Sequence, residues 1–133
     1  MRSQLQPHSE EAECAVIGSV IMDNEQYDAC HEYLPTYEVF YSSFHKTIWK
    51  SIMSMRKFGK KIDAITLLND MGEATKGCDN PAFYITGLLD DIVSPASSKG
   101  YAKIVYQKWL MRNINWRYDS PRNYSNCRKT RAF

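Results

Sequence analysis

Five side chains that can bind metals or transfer protons crowd one short stretch of this sequence, "HSEEAEC" at residues 8–14. They are His8, Glu10, Glu11, Glu13 and Cys14. A zinc site requires four ligands to converge, whereas successive residues of a helix point about 100° apart. Ser9 is a favourable N-cap, and the acidic residues that follow it suit the positive end of the helix dipole. We therefore predict a capped, solvated first helical turn and no metal site.

The remaining candidates for chemistry lie apart from one another along the chain. His45 has no carboxylate or nucleophile near it in sequence, so we predict that it bonds structurally to a neighbouring helix or loop. Cys30 and His31 have no second half-site, and none of the four cysteines forms a CxxC pair, a pattern typical of reduced thiols. Trp49 and Trp109 fall at helical spacing and are predicted to be packing residues. We therefore predict no catalytic residues.

The composition is that of a globular protein, with 44% hydrophobic and 24% charged residues among 133. Residues 1–114 carry 12 Lys and Arg against 14 Asp and Glu, a net charge of −2. Residues 115–133 carry five against one, a net charge of +4. No apolar run approaches the roughly 20 residues that span a bilayer. We expect a cytoplasmic protein whose folded part is not a basic nucleic-acid surface.

The basic tail leaves two interpretations open. Trp116, Tyr118 and Tyr124 are interleaved with basic residues and could contact single-stranded nucleic acid by charge and stacking. The polar, Pro- and Asn-containing composition of the same segment equally suits a disordered end, which we favour.

The elements that position these residues are all predicted to be helices. After Ser9, apolar residues recur at helical spacing, which predicts a first helix. Gly18 lies in the middle of this helix, and we predict that a neighbouring helix approaches closely there. A short second helix is predicted over 25–34, and a third begins after Ser42 and Ser43 and ends before Gly59. Asp63 caps a fourth. No alternating strand pattern occurs, so the fold class is all-α.

The second half of the chain is predicted to be a helical hairpin. After a loop at 73–80, Asn80 and Pro81 open one helix, and a turn at 94–100 leads into a returning helix over 101–114. The apolar residues of both helices spread over more than one face. Two helices that pack against each other bury only one face each. The remaining apolar residues must therefore pack on the first four helices or, as we favour, on another chain.

Several motifs, in order, resemble the N-terminal domain of DnaB-type replicative DNA helicases. "PHSEEAECAVIGSVIMD" resembles the P-x-S-x-EAE-x-A-V-L-G opening, and "VFYSSFHKTIWKSI" resembles the Phe-Tyr…His…Ile-Phe helix. "KKIDAITLLNDM" is similar to the iDxxTLxxxL segment, and "SPASSKGYAKIVYQKWLMR" to the Tyr-Ala-x-Ile-Val…Arg return. The resemblance covers roughly residues 5–114. "FYITGLL" is similar to the first part of the hairpin, but Asn80-Pro81 stands before it where the family usually has Gly-Gly.

The resemblance implies a helical head followed by a hairpin that pairs into dimers and then a trimer of dimers. The implied divisions are a head at 1–72, a loop and hairpin at 73–114, and a divergent tail at 115–133. The implied partners are a second copy of the chain, the C-terminal domain of primase, and a helicase loader or host helicase, with DNA contacted only weakly through the tail. The implied self-association positions are Tyr84, Leu88, Leu89, Ile92, Tyr101, Ile104, Val105 and Trp109.

The family's ATPase motor has no counterpart in this sequence. The phosphate-cradling pattern GxxxxGK[ST] is absent, so ATP and Mg²⁺ are expected only with a motor domain, and no cofactor is expected in this chain. We interpret residues after Ile114 as an altered linker or the end of a truncated or frame-shifted reading frame. The predicted function is a collar module of a replicative helicase. The alternatives are a phage-type regulator that binds a host helicase or primase, and a small nucleic-acid-binding protein.

Overall fold

The structure, a computed structural model, describes residues 6–92 and 94–118, with side chains described as far as Ile114. Within these ranges the chain forms six α-helices and no strand, which confirms the all-α prediction. Short 3-10 turns occur at Tyr37–Val39, Gly72–Gly77 and Pro95–Ser97. The helices are α1 (Glu10–Met22), α2 (Gln26–His31), α3 (Ser43–Lys57), α4 (Ala64–Met71), α5 (Pro81–Asp90) and α6 (Ser98–Tyr118).

Helix α1 is the centre of the fold. It packs against α2, α3, α5 and α6, and Val16, Ile17 and Val20 are completely buried. A helix that is apolar over most of its circumference is stable only when other elements surround it. The rest of the molecule is therefore arranged around this helix.

Side-chain caps set where four of the helices begin. The Ser9 hydroxyl accepts from the backbone N–H of Ala12, and Ser42 and Asn80 act in the same way at the starts of α3 and α5. Asp63 and Thr66 exchange hydrogen bonds with each other's backbone N–H to form a capping box at α4. Each cap satisfies an N–H group that has no partner inside its helix. The caps at Ser9, Asp63 and Asn80 are confirmed as predicted, and of the two serines predicted at the start of α3 the cap is Ser42.

Gly18 lies at the contact between α1 and α5. A Cβ built on this residue would lie 2.5 Å from the carbonyl oxygen of Leu88 and 3.0 Å from Cγ1 of Ile92. The helices can approach this closely only because residue 18 has no side chain. The predicted role of Gly18 is confirmed.

Helices α5 and α6 make their main contacts with α1 and few with each other. In the predicted hairpin the two helices would pack mainly against each other, and the observed arrangement differs from that prediction. Ile85 on α5, with Ala102 and Val105 on α6, is buried in the same core as α1. Part of the apolar surplus that we assigned to another chain is therefore covered by this one, because α1 offers an apolar face on both sides.

Several boundaries differ from the prediction. The loop expected at 73–80 begins as a 3-10 turn, and α6 starts at Ser98, three residues early. Residues 115–118, predicted as part of a disordered tail, continue the helical backbone of α6. The stacking predicted for the Trp116 and Tyr118 side chains, and the predictions for residues 119–133 including Tyr124, lie outside what the structure describes. The division into head, hairpin and tail stays a prediction.

Among the described residues, the helices are too short or too polar to cross a bilayer.

Candidate functional site

Glu13 is buried beneath the start of α3, with 1% of its surface exposed. One carboxylate oxygen accepts from the backbone N–H of Tyr41 at 2.7 Å, and the other accepts from that of Ser42 at 3.3 Å. The positive end of the α3 dipole favours a negative charge at this place. The prediction of a solvated first turn is therefore wrong for Glu13, although Ser9 caps the helix as expected.

His45 is the partner of this carboxylate. Its Nδ1 lies 2.7 Å from Oε1 of Glu13, and the imidazole is completely buried. Burial by itself lowers the pKa of His45, but hydrogen bonds with Cys14 and Glu13 outweigh it and raise the pKa to about 9. The imidazole is therefore protonated at neutral pH, and the predicted structural role across two helices is confirmed.

Tyr84 extends this polar network to α5. Its hydroxyl oxygen lies 2.6 Å from Nε2 of His45 and 3.9 Å from Sγ of Cys14. Burial, followed by the proximity of Cys14, raises the pKa of the Tyr84 hydroxyl, so it stays protonated at neutral pH. Three helices, α1, α3 and α5, are thus joined through one buried imidazole.

Sequence reasoning missed this network because its members are far apart along the chain. Glu13 and His45 are separated by 32 positions, and Tyr84 follows 39 positions later. One signal was available: Glu13 lies three, four and seven positions before Val16, Ile17 and Val20, on the apolar face of α1. A carboxylate on a buried face requires a buried partner.

The network joins α1, α3 and α5 through hydrogen bonds. Both imidazole nitrogens are engaged, Nδ1 by Glu13 and Nε2 by Tyr84. Across the described part of the chain, no group of three or more His, Cys, Asp or Glu side chains could hold a metal ion.

An open cleft of about 630 Å³ lies between α1 and α5, beside this network. Cys14 and Tyr84 form part of its wall, together with the apolar groups of Leu88 and Ile92. Phe83 also lines the cleft and is 74% exposed, and Tyr101 of α6 contributes a ring that is 38% exposed. The cleft therefore presents apolar surface to solvent.

Acidic residues surround the cleft. Glu10, Glu11 and Asp91 line it and are exposed. None of the three lies within salt-bridge distance of a basic side chain in the described part of the chain. The cleft is therefore an apolar surface with a negative rim.

The structure divides the eight predicted self-association positions between two places. Four of them line the cleft: Tyr84, Leu88, Ile92 and Tyr101. Leu88 and Val105 are 7% and 1% exposed, and both pack in the core of the same molecule. The assignment of the eight positions to self-association stays a prediction.

The other positions lie along α6 and at the end of α5. Ile104 is 37% exposed, whereas Leu89 and Trp109 are half-buried. The ring of Trp109 stacks on Tyr106, with centroids 5.9 Å apart, as predicted for a packing residue. The eight predicted positions do not include Phe83, Leu110 and Met111, which are exposed in the structure.

The arrangement of the six helices, with α1 at the centre, defines a small all-α domain of a known type. It is similar to the crystal structure of the N-terminal domain of DnaB helicase from Mycobacterium tuberculosis, with a TM-score of 0.78 and 23% sequence identity. The similarity covers 85% of this chain and 84% of that one.

The amino-acid sequence assigns the family. Residues 5–107 match the family described as the DnaB-like helicase N-terminal domain, and the chain belongs to that family. It is 27% identical over 119 residues to the replicative DNA helicase DnaB of Treponema pallidum, a match that covers 86% of this chain and 26% of that protein. The DnaB of Buchnera aphidicola from Schizaphis graminum is 35% identical over 75 residues, or 56% of this chain and 16% of that protein. The chain spans about a quarter or less of these relatives.

Proposed function

We propose that this chain is a non-catalytic assembly module of a replicative DNA helicase, which self-associates through α5 and α6 and docks the C-terminal domain of primase. Membership of the DnaB-like N-terminal domain family supports the replication context. The observation that carries the self-association is the large apolar area that α5 and α6 leave exposed.

This apolar area is concentrated on the two helices that pack outside α1. Phe83 on α5 and four residues of α6 account for five of the eight large hydrophobic residues exposed in the described part of the chain; the four are Tyr101, Ile104, Leu110 and Met111. Clustered apolar surface of this kind typically marks a protein–protein interface.

Primase docking rests on the family membership, and no residues are assigned to it. A partner that binds the same module must compete with, or bind beside, the self-association surface. The stand-alone regulator described above would use the same surfaces against a host helicase, so a full-length helicase is a useful second partner in the test.

Light scattering after size-exclusion chromatography, at tens of micromolar protein, tests the self-association. The native chain is expected to elute as a dimer or larger species, and Phe83→Ser with Ile104→Ser is expected to shift it towards monomer. The matched control is Ile65→Ser, because Ile65 is 79% exposed and lies on α4, outside the two helices of the proposed surface. A native chain that is strictly monomeric contradicts the proposal.

Titration of the chain with the isolated C-terminal domain of primase, followed by calorimetry, tests the docking. Saturable binding supports it. A chain that self-associates and yet binds neither primase nor a full-length helicase contradicts the docking part alone.

A further inference from the structure

The Cys14 side chain combines access to solvent with a buried charged neighbour. Its sulfur lies 3.8 Å from Nε2 of His45 and 3.9 Å from the hydroxyl oxygen of Tyr84. The residue is only partly buried and lines the cleft between α1 and α5. A reagent that enters the cleft therefore meets a wall that includes Cys14.

Cys14, His45 and Glu13 form a nucleophile, an imidazole and a carboxylate in series. Glu13 orients the imidazole through Nδ1, and the opposite nitrogen faces both the Tyr84 hydroxyl and the Cys14 sulfur. The raised pKa of His45 keeps the imidazole protonated at neutral pH. A cationic imidazole next to the sulfur is a setting in which cysteine side chains attack electrophiles.

The two other described cysteines lack this arrangement. Cys30 is completely buried, and burial raises the pKa of its thiol. Cys78 is partly exposed and has no hydrogen bond to a histidine in the described structure. Cys30 therefore serves as the buried control, and Cys78 serves as the accessible control without a histidine partner.

The charge around the cleft selects among reagents. The nearest exposed ionisable groups that line it, Glu10, Glu11 and Asp91, are all acidic. Acidic groups concentrate cationic molecules and repel anionic ones, and added salt screens both effects.

We propose that Cys14 is a reactive thiol that undergoes thiol–disulfide exchange with small cationic disulfides bound in the cleft between α1 and α5. The Cys14 thiolate attacks one sulfur of the disulfide, whose S–S bond breaks as a new S–S bond to Cys14 forms. The released half leaves as a thiolate and takes up the proton that Cys14 lost. Cys14 is oxidised to the mixed disulfide, and the released half is reduced.

The experiment follows modification of each cysteine in the native chain by peptide mass spectrometry, with two probes at pH 7. Cystamine is the cationic disulfide, and 5,5′-dithiobis(2-nitrobenzoate) is the anionic one. We expect Cys14 to react with cystamine about tenfold faster than Cys78. We expect the ratio of the cystamine rate to the nitrobenzoate rate to be higher at Cys14 than at Cys78, and to fall as salt rises.

Glu13→Gln tests the positioning role of the carboxylate. The amide oxygen can still accept from the imidazole, but the negative charge that helps to keep His45 protonated is lost. We expect the rate at Cys14 to fall severalfold at pH 7 while the rate at Cys78 is unchanged. Circular dichroism establishes that the variant is folded; if it is not, the native-chain comparison decides.

Two results would overturn the proposal. One is a cystamine rate at Cys14 equal to or below that at Cys78 in the native chain. The other is a folded Glu13→Gln variant in which the Cys14 rate is unchanged, since Cys14 would then react independently of the imidazole.

Discussion

Nδ1 of His45 lies 2.7 Å from Oε1 of Glu13, and both side chains are almost completely removed from solvent. The pair joins α1 to the start of α3, where two backbone N–H groups donate to the same carboxylate. Desolvating two charges is costly, and only a complete set of partners offsets this cost. Here the carboxylate accepts three hydrogen bonds, and the imidazole has a partner at each nitrogen.

The stability of the domain is expected to fall as the pH rises above neutrality. The pKa of His45 is raised from 6.5 to about 9, so the folded state holds a proton that the unfolded state releases. This stabilisation is complete below pH 6.5 and is lost as the pH rises through 9, at about 1.4 kcal/mol per pH unit within the window.

Urea denaturation at intervals between pH 7 and 8.5 measures that slope. The His45→Gln variant should be less stable at pH 7 and should show a flatter slope. A native slope as flat as that of the variant would contradict the protonated pair.

Removal of the Glu13 side chain is expected to be among the most damaging substitutions in this domain. Glu13→Ala leaves a buried imidazolium and the N–H groups of Tyr41 and Ser42 without their acceptor, at a cost of about 3–5 kcal/mol. Glu13→Gln keeps an acceptor and should cost less. Chemical denaturation measures both, and equal costs would show that the charge is unimportant.

Alanine at Gly18 and at Gly87 should have opposite effects. At Gly18 the new Cβ meets the carbonyl oxygen of Leu88, which is backbone and cannot rotate away, so we expect a loss of about 1–3 kcal/mol. Gly87, also in a helix, has nothing within 4 Å of a built Cβ. There, higher helix propensity should stabilise the protein by up to about 1 kcal/mol. Thermal denaturation tests the pair, and a tolerated Gly18→Ala would contradict the close approach.

Arg112→Lys is expected to destabilise the domain, although the substitution keeps the positive charge. Its guanidinium donates from one nitrogen to the carbonyl oxygen of Pro7 at 2.9 Å, and from another to that of Val39 at 2.8 Å. A lysine ammonium cannot span both acceptors, so Arg112→Lys should cost about 1–3 kcal/mol. Lys103→Ala, at an exposed position of the same helix, is the control and should change the unfolding free energy little.

The caps and the contact at Gly18 could be predicted because they are encoded locally. Ser9, Ser42, Asp63 and Asn80 each bond to a backbone N–H three positions ahead, within reach of sequence reasoning. Gly18 indicated a close contact because glycine is unfavourable in the middle of a helix unless a neighbouring element leaves no room for a side chain.

The burial of individual residues on α6 could not be predicted from the sequence. Ile104 and Val105 are consecutive apolar residues of this helix, yet Val105 is buried and Ile104 is 37% exposed. Which face is covered depends on where a helix docks, and that is decided by contacts between residues far apart along the chain.

The amino-acid sequence by itself determined the all-α class, the helix starts and the family, because caps, helical periodicity and motif order are local or linear properties. Only the tertiary structure decided that Glu13 is buried, that His45 is its partner, and that both α5 and α6 pack on α1. Those facts rest on which side chains meet across 30 to 70 positions of chain, and on the free energy of burying a charge, which depends on every neighbour that surrounds it.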